Sequence, residues 1–138
     1  PVWSPIFAFA NERGLPLISH TWGEDARCCP SPFVPLAEKY PNVAWIMGHA
    51  GGGESGRKIA VEAARRAPNI YLEICSSWRN PGAVERLVAG AGADRVLYGS
   101  DLPLMEPRIP GGRVMTADIS DADRRKVLGE NTARLLKM

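Results

Sequence analysis

The strongest indication of the fold comes from residues 92–103, Gly92-Ala-Asp-Arg-Val-Leu-Tyr-Gly-Ser-Asp101-Leu-Pro. The apolar centre of this stretch, Arg95 to Tyr98, predicts a short buried strand that stops at Gly99-Ser100-Asp101. A carboxylate directly after such a strand lies at the strand's C-terminal end, where parallel α/β folds carry their functional groups. The interpretation of the chain therefore depends on whether its other strands end in a similar way.

Three earlier apolar runs predict strands that also finish in polar side chains. They are Leu15 to His20, Val43 to Met47 followed by His49, and Ile70 to Ile74, which contains Glu73. Continuous apolar runs of this kind are typical of parallel strands buried on both faces. His20 and His49 are the only two histidines of the chain, and both stand at the same position relative to their strands as Asp101. Two imidazoles and a carboxylate should therefore converge on one side of the sheet.

Helical segments separate the predicted strands. The predicted helices are Ser4 to Arg13, Pro32 to Lys39, Ser55 to Arg66, Pro81 to Ala89, a helix capped by Ser120 that runs to Leu128, and Asn131 to Lys137. Alternating helices and strands indicate a parallel α/β fold, in one domain over residues 1–138. An open doubly wound sheet and part of a (β/α)8 barrel both fit this order. A whole barrel needs about 250 residues, so four strands make half of one.

Composition excludes several classes of function. Hydrophobic residues make up 45% and charged residues 23% of the chain, and the formal net charge is only +2. We expect no nucleic-acid partner, because basic runs are no longer than Arg124-Arg125-Lys126. No apolar stretch approaches a membrane span and no signal peptide opens the chain, so we expect a cytoplasmic protein that acts on a small molecule. Its three cysteines, Cys28, Cys29 and Cys75, are expected to be reduced thiols.

The polar residues at the strand ends have both structural and functional explanations. A single histidine after a strand is commonly a hydrogen-bonded edge residue, and Asp101 can simply cap the following loop. Imidazole and carboxylate together, however, are good ligands for a divalent metal. The shared position of His20, His49 and Asp101 favours a metal site over three separate structural roles.

Three segments resemble a known family. Leu17-Ile-Ser-His20, Ile46-Met-Gly-His49-Ala-Gly-Gly and residues 92–103 are similar to the second half of the amidohydrolase-related family. That family includes metal-dependent hydrolases and enzymes of the aminocarboxymuconate-semialdehyde decarboxylase type. The closing segment Leu128-Gly-Glu-Asn-Thr-Ala-Arg-Leu-Leu136 is similar to the family's C-terminal helix. The resemblance covers nearly the whole chain and implies strands five to eight of a TIM barrel, with their helices.

The resemblance also implies roles for individual residues. His20 matches a metal-ligand histidine, Asp101 matches an aspartate that both binds the metal and acts as a base on metal-bound water, and His49 matches a histidine that polarises the substrate or binds a second metal. A metal lowers the pKa of its water towards neutrality, and a carboxylate can accept the proton. We expect zinc first and manganese as the alternative. Trp78 and Arg79 stand where substrate-contacting loops would lie, and Arg79 could hold a substrate carboxylate.

The sequence departs from the family pattern in one important respect. The family's His-x-His pair at the end of strand one, and strands one to four, have no counterpart here. We therefore expect weak or no metal binding by this chain alone. A half-barrel would leave two open sheet edges and an exposed apolar interior. We expect it to associate, either as a homo-oligomer or with a missing N-terminal half.

Two alternatives remain at the level of the sequence. Gly51-Gly-Gly53-Glu-Ser-Gly56 satisfies the dinucleotide-binding pattern G-x-G-x-x-G, and Glu73 lies about 20 residues further on, as a Rossmann-like module requires. Against this interpretation, that fingerprint belongs to the first strand of its fold, whereas here a strand and a helix precede it. It also leaves both histidines and Asp101 unexplained. The other alternative is a non-catalytic α/β fragment.

Overall fold

The computed structural model describes residues 2–75 and 81–138. Its centre is a parallel sheet of four strands, β1 (Pro16–His20), β2 (Ala44–Gly48), β3 (Ile70–Glu73) and β4 (Val96–Leu97). The strands lie in the order β1-β2-β3-β4, so each strand pairs with its neighbour in the sequence. A dinucleotide-binding sheet instead reverses its strand order at a switch point. The consecutive order is that of successive βα units in a barrel.

Helices connect and cover the strands. They are α1 (Ser4–Arg13), α2 (Phe33–Lys39), α3 (Glu54–Arg66), α4 (Ala83–Ala91), α5 (Arg108–Thr116), α6 (Asp121–Arg125) and α7 (Asn131–Leu136). Short 3-10 turns cover His49–Gly51 and Ala93–Arg95. Helix α1 ends at Gly14, as predicted, because that residue takes the left-handed conformation with φ of 62°. The predicted cap is also confirmed, since the Ser120 hydroxyl accepts a hydrogen bond from the Asp123 N–H at 3.1 Å.

The helices of the structure differ from the predictions by more than one residue in three places. The helix capped by Ser120 does not end at Leu128 but passes through a π-helical turn, Lys126–Glu130, into α7. Helix α4 begins at Ala83 and not at Pro81, because Gly82 before it has a φ of 72°. Helix α5 was not predicted, since Pro110 and the two glycines after it are poor helix formers. Pro110 is the third residue of α5, where its missing N–H removes no helical hydrogen bond.

The two faces of the sheet are covered to different extents. Leu17, Trp45 and Ile70 are aligned on one face, where Trp45 is 3% exposed and Ile70 is fully buried. The register places Ile18, Ile46 and Tyr71 on the opposite face, because successive side chains of a strand alternate. Ile18 on that face is 66% exposed. We call this second surface the open face of the sheet.

The covered face is held by an aromatic cluster and by two amide side chains. The Trp45 ring packs edge-on against Phe7, with centroids 5.0 Å apart, and against Phe33 at 6.1 Å. The Asn69 amide nitrogen donates to the carbonyl oxygens of Ala37, Tyr40 and Val43 at 3.0 to 3.2 Å. The buried Asn131 amide nitrogen donates to the carbonyls of Ala93 and Val96 at 2.7 and 2.9 Å. These bonds fix the loops from which β2 and β4 start.

Across the described part of the chain, no helix has the length and apolar character needed to cross a lipid bilayer.

Candidate metal centre

The turn after β2 holds His49 in a constrained backbone conformation. His49 and Ala50 have φ values of 66° and 46°, which are unusual for residues with a side chain. The buried Thr21 hydroxyl fixes this turn, donating to the Gly48 carbonyl at 2.7 Å and accepting from the Gly51 N–H at 2.8 Å. The end of β1 therefore positions the residue that follows β2.

The His49 ring is oriented by the backbone that follows β3. Its Nδ1 lies 2.5 Å from the carbonyl oxygen of Cys75. A carbonyl oxygen only accepts, so Nδ1 carries the proton and donates it. In the neutral ring the lone pair then resides on Nε2. His49 is thus set to present Nε2 to a metal ion or to a substrate.

The Glu73 side chain links His49 to Cys75 through hydrogen bonds. It is only 5% exposed, and its two carboxyl oxygens accept hydrogen bonds from the Cys75 N–H at 2.6 Å, the Cys75 thiol at 2.6 Å and the His49 N–H at 3.2 Å. A Cβ at Gly99 would overlap the Glu73 carboxyl group, so glycine is required where the chain passes after β4. Sequence reasoning gave Glu73 no such positioning role.

Three potential metal ligands lie together at this end of the sheet. The ligand atoms of His49, Cys75 and Asp101 all lie within 4.8 Å of one another, so that small side-chain movements would bring all three onto one metal ion. Asp101 reaches this cluster from a left-handed backbone position with φ of 60°. Nitrogen, sulfur and oxygen donors of this kind suit a divalent cation, zinc in particular. The donor set therefore fits the metal that the resemblance implies.

Cys75 is the member of this cluster that sequence reasoning missed. The thiol is buried, and burial followed by the hydrogen bond to Glu73 raises the pKa of Cys75 above its usual range. The signal that could have found it is its place two residues after Glu73, at the same sheet edge as His49 and Asp101.

His20 lies beside the cluster of three and is not one of its members. Its ring centroid is 4.7 Å from that of His49, and its ring stacks parallel to Trp22 at 6.0 Å. The His20 side chain is exposed, at the end of the open face. Trp22, whose centroid is 5.9 Å from that of His49, is an aromatic neighbour that sequence reasoning did not identify. Trp78 and Arg79, the predicted substrate contacts, lie outside the described residues.

The glycine-rich loop has a packing role in the structure. A Cβ on Gly56 would collide with the backbone of both Gly51 and Gly23, and the Gly23 N–H donates to the Gly51 carbonyl at 2.8 Å. In a dinucleotide-binding module, Glu73 would have to be accessible to the ribose of the ligand. Here its carboxyl group is buried and accepts a hydrogen bond from the His49 N–H. The G-x-G-x-x-G pattern is therefore explained by packing: backbone segments approach each other so closely beside the cluster that only glycine fits.

Comparison with known proteins identifies the family. The profile of the family described as amidohydrolase matches residues 1–138. The chain belongs to the amidohydrolase family. A curated relative, γ-resorcylate decarboxylase of Polaromonas sp. (strain JS666 / ATCC BAA-500), is 26% identical over 121 residues. That match covers 75% of this chain but only 37% of the relative.

Solved structures establish the fold of this amidohydrolase chain. An uncharacterized TIM-barrel protein from Bordetella bronchiseptica superposes with a TM-score of 0.82 at 25% identity, over 98% of this chain and 50% of that one. A 5-carboxyvanillate decarboxylase from Sphingomonas paucimobilis gives 0.74 at 18% identity, over 100% and 54%. A dihydroxybenzoic acid decarboxylase from Polaromonas sp. JS666, with bound manganese and the inhibitor 2-nitroresorcinol, gives 0.68 at 20%, over 96% and 53%.

These matches confirm the predicted fold class. The chain is part of a TIM barrel, built from successive parallel βα units, and it spans about half the length of the solved relatives. The superfamily to which it belongs includes enzymes, decarboxylases among them, and one of the similar structures holds manganese.

Proposed function

We propose that this chain carries part of the active site of a metal-dependent enzyme of the amidohydrolase superfamily. The observation that supports this most strongly is the convergence of His49, Cys75 and Asp101 within 4.8 Å at the C-terminal edge of the sheet. His20, directly beside His49, is proposed as a further ligand that the rest of a barrel would bring into use. These three or four donors are enough for one divalent cation.

Each residue then has a chemical task. A bound divalent cation would act as a Lewis acid and would lower the pKa of a coordinated water. Asp101 accepts or holds the proton that moves during the reaction. His49, whose Nδ1–H is held by the Cys75 carbonyl, presents Nε2 to the cation or to a substrate oxygen. Arg79 and Trp78 remain proposed substrate contacts, with the guanidinium suited to a substrate carboxylate.

We propose non-oxidative decarboxylation as the first candidate reaction and hydrolysis as the second. The support comes from the relatives, since the curated match is a γ-resorcylate decarboxylase and the similar structures include a 2,6-dihydroxybenzoate decarboxylase. In such a reaction the bond between the ring carbon and the carboxyl carbon breaks, carbon dioxide leaves, and a proton replaces it on the ring carbon. Asp101 is the group placed to manage that proton.

Zinc and manganese remain the two candidate metals. The Cys75 thiol would lose its proton on binding a cation, and the resulting thiolate favours zinc because thiolates prefer softer cations, whereas the Polaromonas structure holds manganese. We propose zinc for this chain on the strength of its sulfur donor.

The test is a titration of the purified chain with zinc and with manganese, followed by calorimetry. The sequence alone predicted weak or no binding, but the structure adds Cys75 to the donors. We therefore expect about one ion per chain, with affinity reduced at least about tenfold in His49→Gln and in Asp101→Asn, because each removes one of three ligands. Asp118→Asn, which changes an exposed aspartate far along the sequence, is the matched control. A chain that binds neither ion, or variants that bind as well as the parent, would rule out this site.

A further inference from the structure

A cleft on the helical side of the molecule is unrelated to the candidate metal centre. It lies between α3 and α4, has a volume of about 420 Å³ and is lined by residues of these two helices, among them Arg57, Arg65 and Arg86. The two helices pack closely where Val61 meets Gly90, since a Cβ on Gly90 would lie 2.6 Å from the Val61 Cγ1. No residue of the metal centre lines the cleft.

Arg57 is the unusual residue of this cleft. Its exposed fraction is only 5%, and its Nη1 atom is buried without a hydrogen-bond partner among the described residues. A buried guanidinium N–H group without an acceptor is costly, because it loses its hydrogen bonds to water and gains none in return. The Glu54 carboxylate on the same helix interacts favourably with Arg57, but it is also paired with Lys58 at 3.7 Å and so is shared with another cation.

A second cation makes the cleft more positive. Burial, followed by the positive charge of Arg86, lowers the pKa of the Arg57 guanidinium, although an arginine stays charged at any physiological pH. Arg86 is exposed and lies at the start of α4, where a Cβ on Gly82 would be 3.0 Å from the Arg86 Nη1. The lining holds four cations, Arg57, Lys58, Arg65 and Arg86, against two carboxylates, Glu54 and Glu62, so the cleft has a net positive charge that favours an anion.

We propose that this cleft binds a small organic oxyanion, gripped by Arg57 and Arg86. Guanidinium groups bind the oxygens of phosphate and carboxylate groups in a bidentate manner. The volume of about 420 Å³ exceeds the needs of a bare inorganic ion and falls in the range of small-molecule pockets, about 300 to 1,000 Å³. Val61, Ala89 and Gly90 provide an apolar wall for the rest of the ligand. The proposal does not depend on the metal centre.

The experiment uses inorganic phosphate and phenyl phosphate as probes, with binding followed by calorimetry on the purified chain. We expect saturable binding of one probe molecule per chain, with phenyl phosphate the tighter because of the apolar wall. Arg57→Met and Arg86→Gln should each weaken binding about tenfold or more. Arg66→Gln, at an exposed position of the same helix that does not line the cleft, should bind like the parent.

A thermal measurement separates the site from general salt effects. Phosphate should raise the melting temperature of the parent chain and of Arg66→Gln, but not that of Arg57→Met. In phosphate-free buffer Arg57→Met should melt above the parent, because it replaces a buried unpaired charge with an apolar side chain. If Arg57→Met does not fold, Arg86→Gln decides the test, because Arg86 is exposed. Absence of saturable binding, or equal binding by the parent, Arg57→Met and Arg86→Gln, would overturn the proposal.

Discussion

At the scale of single residues, the candidate centre depends on side chains that the sequence pattern identifies unequally. His49 and Asp101 were predicted because each stands just beyond the C-terminal end of a predicted strand, and the structure brings their ligand atoms together. Cys75 was not predicted as a ligand, since its role follows from its proximity to His49 and Asp101, which are distant from it in the sequence. His20 was predicted from the same pattern as His49, yet it lies beside the cluster because β1 ends at His20 itself.

Glu73 gives the first prediction at this scale. Glu73→Gln keeps the size of the side chain but turns an amide NH2 towards N–H and S–H donors, so at least one buried donor loses its acceptor. We expect the free energy of unfolding to fall by about 1–3 kcal/mol. Urea unfolding measures the change, with Glu12→Gln at an exposed position as the control. Equal loss in both variants would mean that the buried network contributes nothing specific.

At the scale of elements, strand positions follow from apolar runs, and most helix ends follow from glycine, proline and capping residues. Helix α5 escaped prediction because packing, and not propensity, stabilises it. Its Pro110 and Val114 are buried, and the Tyr98 hydroxyl after β4 donates to the Pro107 carbonyl at 2.9 Å. The π-helical turn before α7 escaped for a similar reason, since Val127 within it is fully buried and its carbonyl accepts from the Tyr98 N–H at 2.9 Å. Neither contact is local in the sequence.

Asn131 gives the prediction that belongs to the elements. Its amide nitrogen joins the first turn of α7 to the carbonyls of Ala93 and Val96, so Asn131→Ala leaves two buried carbonyl oxygens without that donor. We expect a loss of about 2 kcal/mol in the free energy of unfolding. Asn42→Ala, at an exposed position before β2, should change it by less than about 0.5 kcal/mol. The result to look for in urea unfolding is the difference between the two variants; no difference would contradict the role given to Asn131.

At the scale of the whole molecule, the open face is the feature that the rest of a barrel would complete. The chain spans about half of the solved TIM barrels it resembles, and Ile18 on the open face is 66% exposed. The prediction that further βα units or a second copy cover this face remains untested. The substrate contacts at Trp78 and Arg79 remain predictions as well, since they lie outside the described residues. The order of strands and helices was enough to predict the fold. The set of metal donors could not be predicted in this way, because it depends on which side chains the folded chain brings close together.

Cobalt spectroscopy can show whether His49, Cys75 and Asp101 bind one metal ion. Cobalt replaces zinc in sites of this kind, and a sulfur ligand gives it a charge-transfer band in the near ultraviolet. We predict that band in the parent chain and in Cys28→Ser, whose thiol lies outside the cluster. Cys75→Ser should lose the band but keep part of the cobalt affinity through His49 and Asp101. A parent chain that shows no such band, or a band that persists in Cys75→Ser, would contradict the account.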